Sequence, residues 1–206
     1  MSHDWVDFAR KLRSIAQTGQ TWTTNKYELE RYRQLEALTN EMFAVLGDVP
    51  IKRVEDFFIN DRGYSTPKVD VRGAVFDRDQ VLLVREIKDG LWTLPGGWAD
   101  VSESPSANVL KEIFEESGRR ASHPRLAMLK DRSLHPYAWR SPDHIYKLFY
   151  VCTLEGGEFA PNNETDAAEF FSLDDLPPLS EGRTIAADIH QCFEFARAGG
   201  PGIYSD

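Results

Sequence analysis

One segment constrains the fold of this chain more than any other: Ser104 to Gly118, Ser–Pro–Ser–Ala–Asn–Val–Leu–Lys–Glu–Ile–Phe–Glu–Glu–Ser–Gly. It carries a helix with its own punctuation, since Ser104 suits the N-cap, Pro105 the first helical position and Gly118 the C-terminal cap. At roughly 100° per residue, Ala107, Leu110, Ile113 and Phe114 gather on an apolar back. Glu112, Glu115 and Glu116 share the opposite front. Such a helix needs an apolar sheet to lie on. Its three like charges repel one another at these spacings. An acidic, solvated face is one reading; carboxylates held together by hard divalent cations, Mg²⁺ or Mn²⁺, is the other.

The sheet is legible around it. Val69–Phe76 and Val81–Arg85 are β-branched and apolar, and Asp77–Arg78–Asp79 between them predicts a hairpin. Leu91–Gly97 is a loop rich in Pro and Gly. Leu126–Leu129, Ile145–Thr153 and Glu169–Phe171 read as further strands, Ser180–Gly182 as a loose segment and Ala186–Ala198 as a final helix. Strands interspersed with helices predict a mixed sheet flanked by helices.

The first sixty residues have a different texture. Trp5, Phe8, Leu12 and Ile15 recur at helical spacing. A polar break containing Gly19 is expected from Gln17 to Thr24. Asn25 with Glu28 then makes a capping-box pattern, and Tyr27, Leu35, Leu38, Met42 and Val45 form a second stripe that ends at Gly47–Asp48–Val49–Pro50. Two apolar stripes on a helical hairpin need a cover, either the following domain or a second subunit. The expected division is a helical domain over residues 1–60, a homodimerisation element on the second reading, and a sheet domain over 67–206.

Composition limits the partners. The chain has 24 Lys and Arg against 33 Asp and Glu, a net charge of −9, which disfavours adhesion to nucleic acid or to an anionic membrane surface. Local cations can still reverse the sign of one cleft. Met1–Ser2–His3–Asp4 leads directly into the amphipathic segment without a secretory pattern. Cys152 and Cys192 are widely spaced in apolar stretches, so two buried thiols and a cytoplasmic setting are expected.

The acidic helix does not stand alone. Gly97, Glu103, Lys111, Glu112, Glu115, Glu116 and Gly118 occur at the spacing Gly–five–Glu–seven–basic–Glu–aliphatic–x–Glu–Glu–x–Gly, preceded by Leu94–Pro95–Gly96. This pattern resembles the Nudix box, the signature of hydrolases that cleave nucleoside diphosphates linked to another moiety. The resemblance implies an α/β (α+β) fold, a Nudix α/β/α sandwich with a mixed sheet, here behind a small helical hairpin domain. It implies Glu112, Glu115 and Glu116 as ligands of Mg²⁺ or Mn²⁺, helped by the Gly97 carbonyl, with Glu103 supporting the loop. Lys111 stands where the family usually has an arginine that orients a glutamate, and a lysine cannot supply that bidentate fork. Arg119 replaces a usual aliphatic residue and falls on the carboxylate side of the helical wheel. Glu164, before the Phe170–Phe171 strand, occupies a region where the family often places another ligand or base; Glu112 and Glu116 are the other candidates for the base.

The layout of a helical domain followed by a Trp92–Thr93–Leu94 loop also resembles a narrower Nudix group acting on CDP-choline, ADP-ribose and similar conjugates. Ile15–Ala16–Gln17–Thr18–Gly19, Tyr27 and Glu30–Arg31–Tyr32 carry that likeness. It implies a metal-dependent pyrophosphatase releasing a nucleoside monophosphate and a phosphorylated product. Arg72, Arg85, His135, His144 and Lys147 are candidate contacts for the anionic substrate, and Trp98 a candidate stacking surface; each has a structural alternative. Two other functions remain open, a nucleotide-sensing domain without turnover and RNA-end processing.

Overall fold

The computed structural model describes residues 4–200 and 202–206; Met1–His3 and Pro201 lie outside them. The chain forms two compact units. One takes the chain up to Pro67 together with Arg140–His144, the other Lys68–Trp139 and Ile145–Asp206.

The first unit is built of α1 (Trp5–Trp22), α2 (Lys26–Gly47) and α3 (Ile51–Phe58). Asp4 caps α1 by accepting from the Val6 amide, and Asn25 caps α2 by accepting from the Tyr27 amide. The break expected over Gln17–Thr24 is much shorter, because α1 continues to Trp22. Gly19 is there for space rather than for flexibility: a Cβ would overlap the Tyr32 ring on α2. The expected hairpin is a three-helix unit. Pro50 does not merely end a helix; it precedes the start of α3, a place where a missing N–H costs nothing. Val54 and Phe58, one turn apart on α3, close a small core with Ala9, Phe43 and Ala44.

Much of each predicted stripe faces outward, although Met42 packs on this core and Leu12 and Leu35 are half-buried. Trp5, Ile15, Tyr27, Leu38 and Val45 are exposed, while Ala9, Arg13, Ala16 and Gln17 form the inner face of α1. Small alanines suit a close helix approach. Arg13 is tolerated there because its guanidinium donates to Asn40, pairs with Glu36 at 3.3 Å and lies 3.7 Å over the Phe58 ring. Residues 140–144 join this unit through Arg10 Nε, which donates to the Ser141 carbonyl at 3.0 Å, and an Arg140–Asp4 pair.

The second unit contains β1 (Lys68–Asp77), β2 (Gln80–Glu86), β3 (Trp92–Thr93), α4 (Pro105–Ser117), β4 (Arg119–Asp131), β5 (Ile145–Gly157), β6 (Thr165–Ser172), α5 (Ala186–Arg197) and β7 (Tyr204–Ser205). β1 and β2 meet antiparallel only at their hairpin end, Asp77 opposite Gln80. β1 then runs parallel to β5, which pairs antiparallel with β4, and β7 adds in parallel to β4. β2 pairs antiparallel with β6 and with β3. The sheet is therefore mixed.

Successive strand residues separate onto its two faces. Val71, Val75, Leu82 and Val84 pack with Val109 and Ile113 of α4, whereas Ala74, Val81 and Leu83 pack with Ile189 and Cys192 of α5. This alternation makes the α/β/α sandwich. Ala107 and Phe114, both expected on the buried back of the acidic helix, are exposed; Val109 takes that place. Gly118, with φ at 65°, turns the chain sharply, so Arg119 opens β4 instead of extending the helix face. There it donates to the Gly157 carbonyl and lies 6.0 Å from the Phe170 ring.

The β4 strand begins seven residues before the predicted Leu126, the expected Leu91–Gly97 loop contains β3, and β7 was not anticipated. Ser180–Gly182 is anchored rather than loose: the Ser180 amide donates to Trp92 O at 2.7 Å, and Ser180 is buried. Cys152 and Cys192 are both free and buried, and burial pushes the Cys152 thiol up to about 12. No helix among the described residues is long and apolar enough to cross a membrane.

Candidate active site

The loop before α4 is pressed onto β1. Gly73 N donates to Pro95 O, Val71 N to Gly97 O and Ala99 N to Val69 O, each at 2.9 Å. Gly96, with φ at 142°, is required here, since a Cβ would overlap the Val71 carbonyl. The loop can come this close only because Gly96 has no side chain.

Two glutamates of α4 converge on this loop. Glu116 Oε2 accepts from Gly96 N at 2.8 Å, and Glu112 Oε2 lies so near Gly97 that a Cβ there would stand 3.1 Å away. Burial pushes the Glu112 carboxyl up to about 7 and that of Glu116 to about 8. Arg72 opposes both shifts, while neighbouring acids reinforce them. Glu115 is exposed on the same helix. Glu103 is exposed just before Ser104, whose hydroxyl accepts from the Ala107 amide and caps the helix.

Lys111 does not orient a glutamate; its ammonium lies 2.5 Å from Asp100. The Gly97 carbonyl already accepts from Val71 N. A carbonyl has a second lone pair.

The β2–β6 ladder brings a further turn to this place. Ile87 N donates to Glu164 O at 2.9 Å, and Glu86 lies opposite Thr165. Glu164 itself is exposed. Its charge acts on both Glu112 and Glu86. Glu86 is an acid that sequence reasoning missed, because it reads as the end of a strand. It is buried, burial raises its pKa, and it lies 3.1 Å from Arg183 Nε. Asn108 was also missed. One turn before Glu112 on α4, it is completely buried with neither amide atom hydrogen-bonded.

The cations expected to face substrate are differently employed. Arg72 is buried, with Nε and Nη2 on the two Asp70 oxygens at 3.1 and 2.8 Å and Nη1 on Leu94 O at 3.1 Å. Lys147 is also buried and donates to Asp70 Oδ1, the oxygen Arg72 Nε uses, at 2.5 Å, and burial drives its ammonium down to about 8. For Asp70 burial works against the charge, but Arg72 and Lys147 outweigh it and hold the carboxyl below its ordinary range. These two cations thus form a support beneath the loop, and neither is a solvent-facing substrate contact.

Arg85 pairs with Asp166 at 2.7 Å on the exposed face of the ladder. His135 Nε2 lies 3.0 Å from Asp206. His144 belongs to the helical unit. Trp98, half exposed beside Gly97, has the Lys68 ammonium 6.0 Å from its ring and remains available as a stacking surface.

The donor set fits a hard divalent cation. All the groups that converge are oxygens, their carboxyls are raised by burial, and the acids repel one another. Among the described residues no group of three or more Asp, Glu, His or Cys side chains is arranged to hold a metal ion by itself. Mg²⁺ does not need one, since it usually takes one or two carboxylates with waters and substrate phosphate completing the shell.

Known proteins share both units. Residues 66–191 match the NUDIX domain, and residues 3–58 match the UDP-X-like, N-terminal oligomerisation domain. A Bacillus subtilis protein named "Putative ADP-ribose pyrophosphatase YjhB" is 42% identical over 94% of this chain and 92% of its own length. Among solved structures, an ADP-ribose pyrophosphatase from Streptococcus suis is 44% identical over 68% of this chain and all of that one, with a TM-score of 0.63. A UDP-X diphosphatase is 33% identical over 98% of both chains, also with a TM-score of 0.63.

Proposed function

This chain belongs to the Nudix hydrolase family, whose members typically depend on divalent metal ions, and on that premise we propose that it cleaves the pyrophosphate of a nucleoside diphosphate conjugate of the ADP-ribose type. The observation that carries the reading is the convergence of Glu112 and Glu116 on the Gly96–Gly97 turn. Glu112 and Glu116 would hold the metal, with Glu115 and the Gly97 carbonyl beside them. A bound Mg²⁺ or Mn²⁺ supplies neutralisation of the pyrophosphate oxygens and a more acidic water.

The residues of the chain then divide the remaining work. Gly96 N fixes the Glu116 carboxylate in place, and Arg72, held by Asp70 with Lys147 beside it, sets a positive charge near the acids. Glu164, exposed and uncommitted to the loop, takes the proton of the attacking water. The water oxygen bonds to one phosphorus as the bond from that phosphorus to the bridging oxygen breaks. The products are a nucleoside monophosphate and a phosphorylated second moiety, AMP and ribose 5-phosphate from ADP-ribose.

Uridine-linked conjugates are a second reading, favoured by the 33% identity to a UDP-X diphosphatase over both full lengths. The outward stripes of α1 and α2 support a homodimer through the helical unit. A panel of ADP-ribose, CDP-choline, UDP-glucose and 5′-triphosphate RNA, each with Mg²⁺ or Mn²⁺, tests the substrate class by product identification. Turnover of a conjugate with release of its monophosphate is expected. Binding of the conjugates without turnover would instead favour a sensing domain.

A further inference from the structure

The turn that carries Glu164 is fastened to α4 by the side chains of Asn162 and Thr165. Asn162 Oδ1 accepts from the backbone N–H groups of Glu164 and Thr165, both at 2.8 Å. Its Nδ2 donates to Glu115 O at 2.9 Å and to Thr165 Oγ1 at 2.8 Å, with Glu116 O further off at 3.4 Å. Thr165 Oγ1 in turn donates to Glu116 O at 2.6 Å, and Thr165 is completely buried. Asn162 N closes the turn on Thr165 O at 3.1 Å.

The acceptors on α4 matter. The last carbonyls of a helix have no partner within it, and here two of them belong to Glu115 and Glu116, whose side chains face the metal site. Asn162 and Thr165 satisfy those carbonyls and at the same moment shape the backbone of Glu164. The spacing between the acids of α4 and Glu164 is therefore set through the main chain. No direct side-chain contact has to hold mutually repelling carboxylates together. From the other side, Ile87 N holds the Glu164 carbonyl. The Glu164 side chain alone is left unattached.

We infer that Asn162 and Thr165 are positioning residues for the hydrolysis, locking the Glu164 turn to the C-terminal carbonyls of α4 so that Glu164 meets the phosphorus-attacking water held at Glu112 and Glu116. This inference rests on the proposed role of Glu164. It explains why an exposed acid on a turn can have a defined place relative to a buried site. Displacing such a group by about 1 Å is enough to cost up to about 100-fold in rate.

The test uses ADP-ribose with Mg²⁺ and the full chain. Thr165→Val keeps the shape and removes the donor to Glu116 O; Thr165→Ser keeps the hydroxyl. Asn162→Asp keeps the acceptor for the two turn amides but removes the Nδ2 donor to α4, and its half-buried site makes it the safer variant for folding. Thr165→Val and Asn162→Asp are expected to lower kcat about tenfold or more while KM changes less than threefold, and Thr165→Ser to recover most of the loss. In a Glu164→Gln background the same two substitutions are expected to cost less than twofold further, because the group they position is already gone.

Equal losses in both backgrounds, or unchanged kcat in Thr165→Val and Asn162→Asp, would overturn the inference. If Glu164→Gln itself leaves kcat intact, the role of Glu164 falls, and the positioning inference falls with it. If Glu164→Gln is slow while both positioning variants keep full kcat, only the inference fails. Amide exchange at Glu164 and Thr165 gives a second readout. It should stay slow in Asn162→Asp and quicken in Asn162→Ala; equally slow exchange in Asn162→Ala would contradict the assigned turn.

Discussion

Replacing Glu116 by glutamine should make the metal-free protein more stable at pH 8, although it removes a residue proposed to be essential for turnover. Glu116 is nearly fully buried, accepts one hydrogen bond from Gly96 N, and has its carboxyl pushed by burial from 4.5 to about 8. A carboxyl raised on folding binds its proton more tightly in the folded chain. Its stability contribution is therefore present at low pH and is lost as pH rises through the folded value. At about 1.4 kcal/mol per unit, the shift corresponds to an upper limit of about 5 kcal/mol for ionising Glu116 inside the fold. Water entry and side-chain movement recover part of this, so about 2 kcal/mol is a reasonable expectation for the variant. Glutamine keeps an oxygen for Gly96 N and carries no charge. For a chain of this size the gain appears as a rise of about 4–8 °C in melting temperature at pH 8. The assay is thermal unfolding in chelator from pH 5 to pH 8. The gain should shrink to about 1 kcal/mol or less at pH 5, where wild-type Glu116 is already protonated. Added Mg²⁺ should stabilise the wild type at pH 8 and the variant much less. A variant no more stable than wild type at pH 8, or equally more stable at pH 5, would show that ionising Glu116 inside the fold carries no such cost.

Other outcomes follow from the same contacts. Arg72→Met leaves Asp70 buried with only Lys147 and should cost about 3–5 kcal/mol in urea unfolding. Gly96→Ala forces a Cβ into the Val71 carbonyl and should lose the loop, seen as low yield or a collapse of both stability and turnover. Leu38→Glu with Val45→Glu, both on the exposed helical stripe, should shift the mass in solution toward monomer by light scattering while each chain stays helical.

The span and caps of the acidic helix and its acidic front were legible from the sequence, because they are local properties of Ser104–Gly118; which residues form its buried back was not, since Phe114 is exposed and Val109 and Asn108 are buried. The hairpin and the mixed sheet were legible because the apolar, β-branched runs Val69–Phe76 and Val81–Arg85 are local, whereas the α/β/α sandwich came from the family resemblance. What could not be read was where charged groups find partners. Arg72 and Lys147 look like free cations until parallel pairing of β1 with β5 sets Asp70 opposite Lys147, with Arg72 two residues along the same strand. Glu86 looks like a strand end until the ladder with β6 brings it beside Thr165. Asn162 reads as an ordinary loop residue, since its acceptors lie on α4, more than forty positions away. In the helical unit the stripes were correctly periodic but, Met42 apart, turned largely outward, because α1 packs through Ala9 and Ala16 and a cation stacked on Phe58. Periodicity identifies a face and does not say what covers it.

The α4 carboxylates are proposed to make this chain a metal-dependent pyrophosphohydrolase. ³¹P NMR of ADP-ribose incubated with the protein tests it most directly, run with Mg²⁺, with chelator, and with the Glu112→Gln variant plus Mg²⁺. The pyrophosphate resonances should give way to two phosphate monoester signals only in the wild type with Mg²⁺. Equal conversion in chelator, or full-rate conversion by Glu112→Gln, would mean that the α4 carboxylates do not hold a catalytic metal.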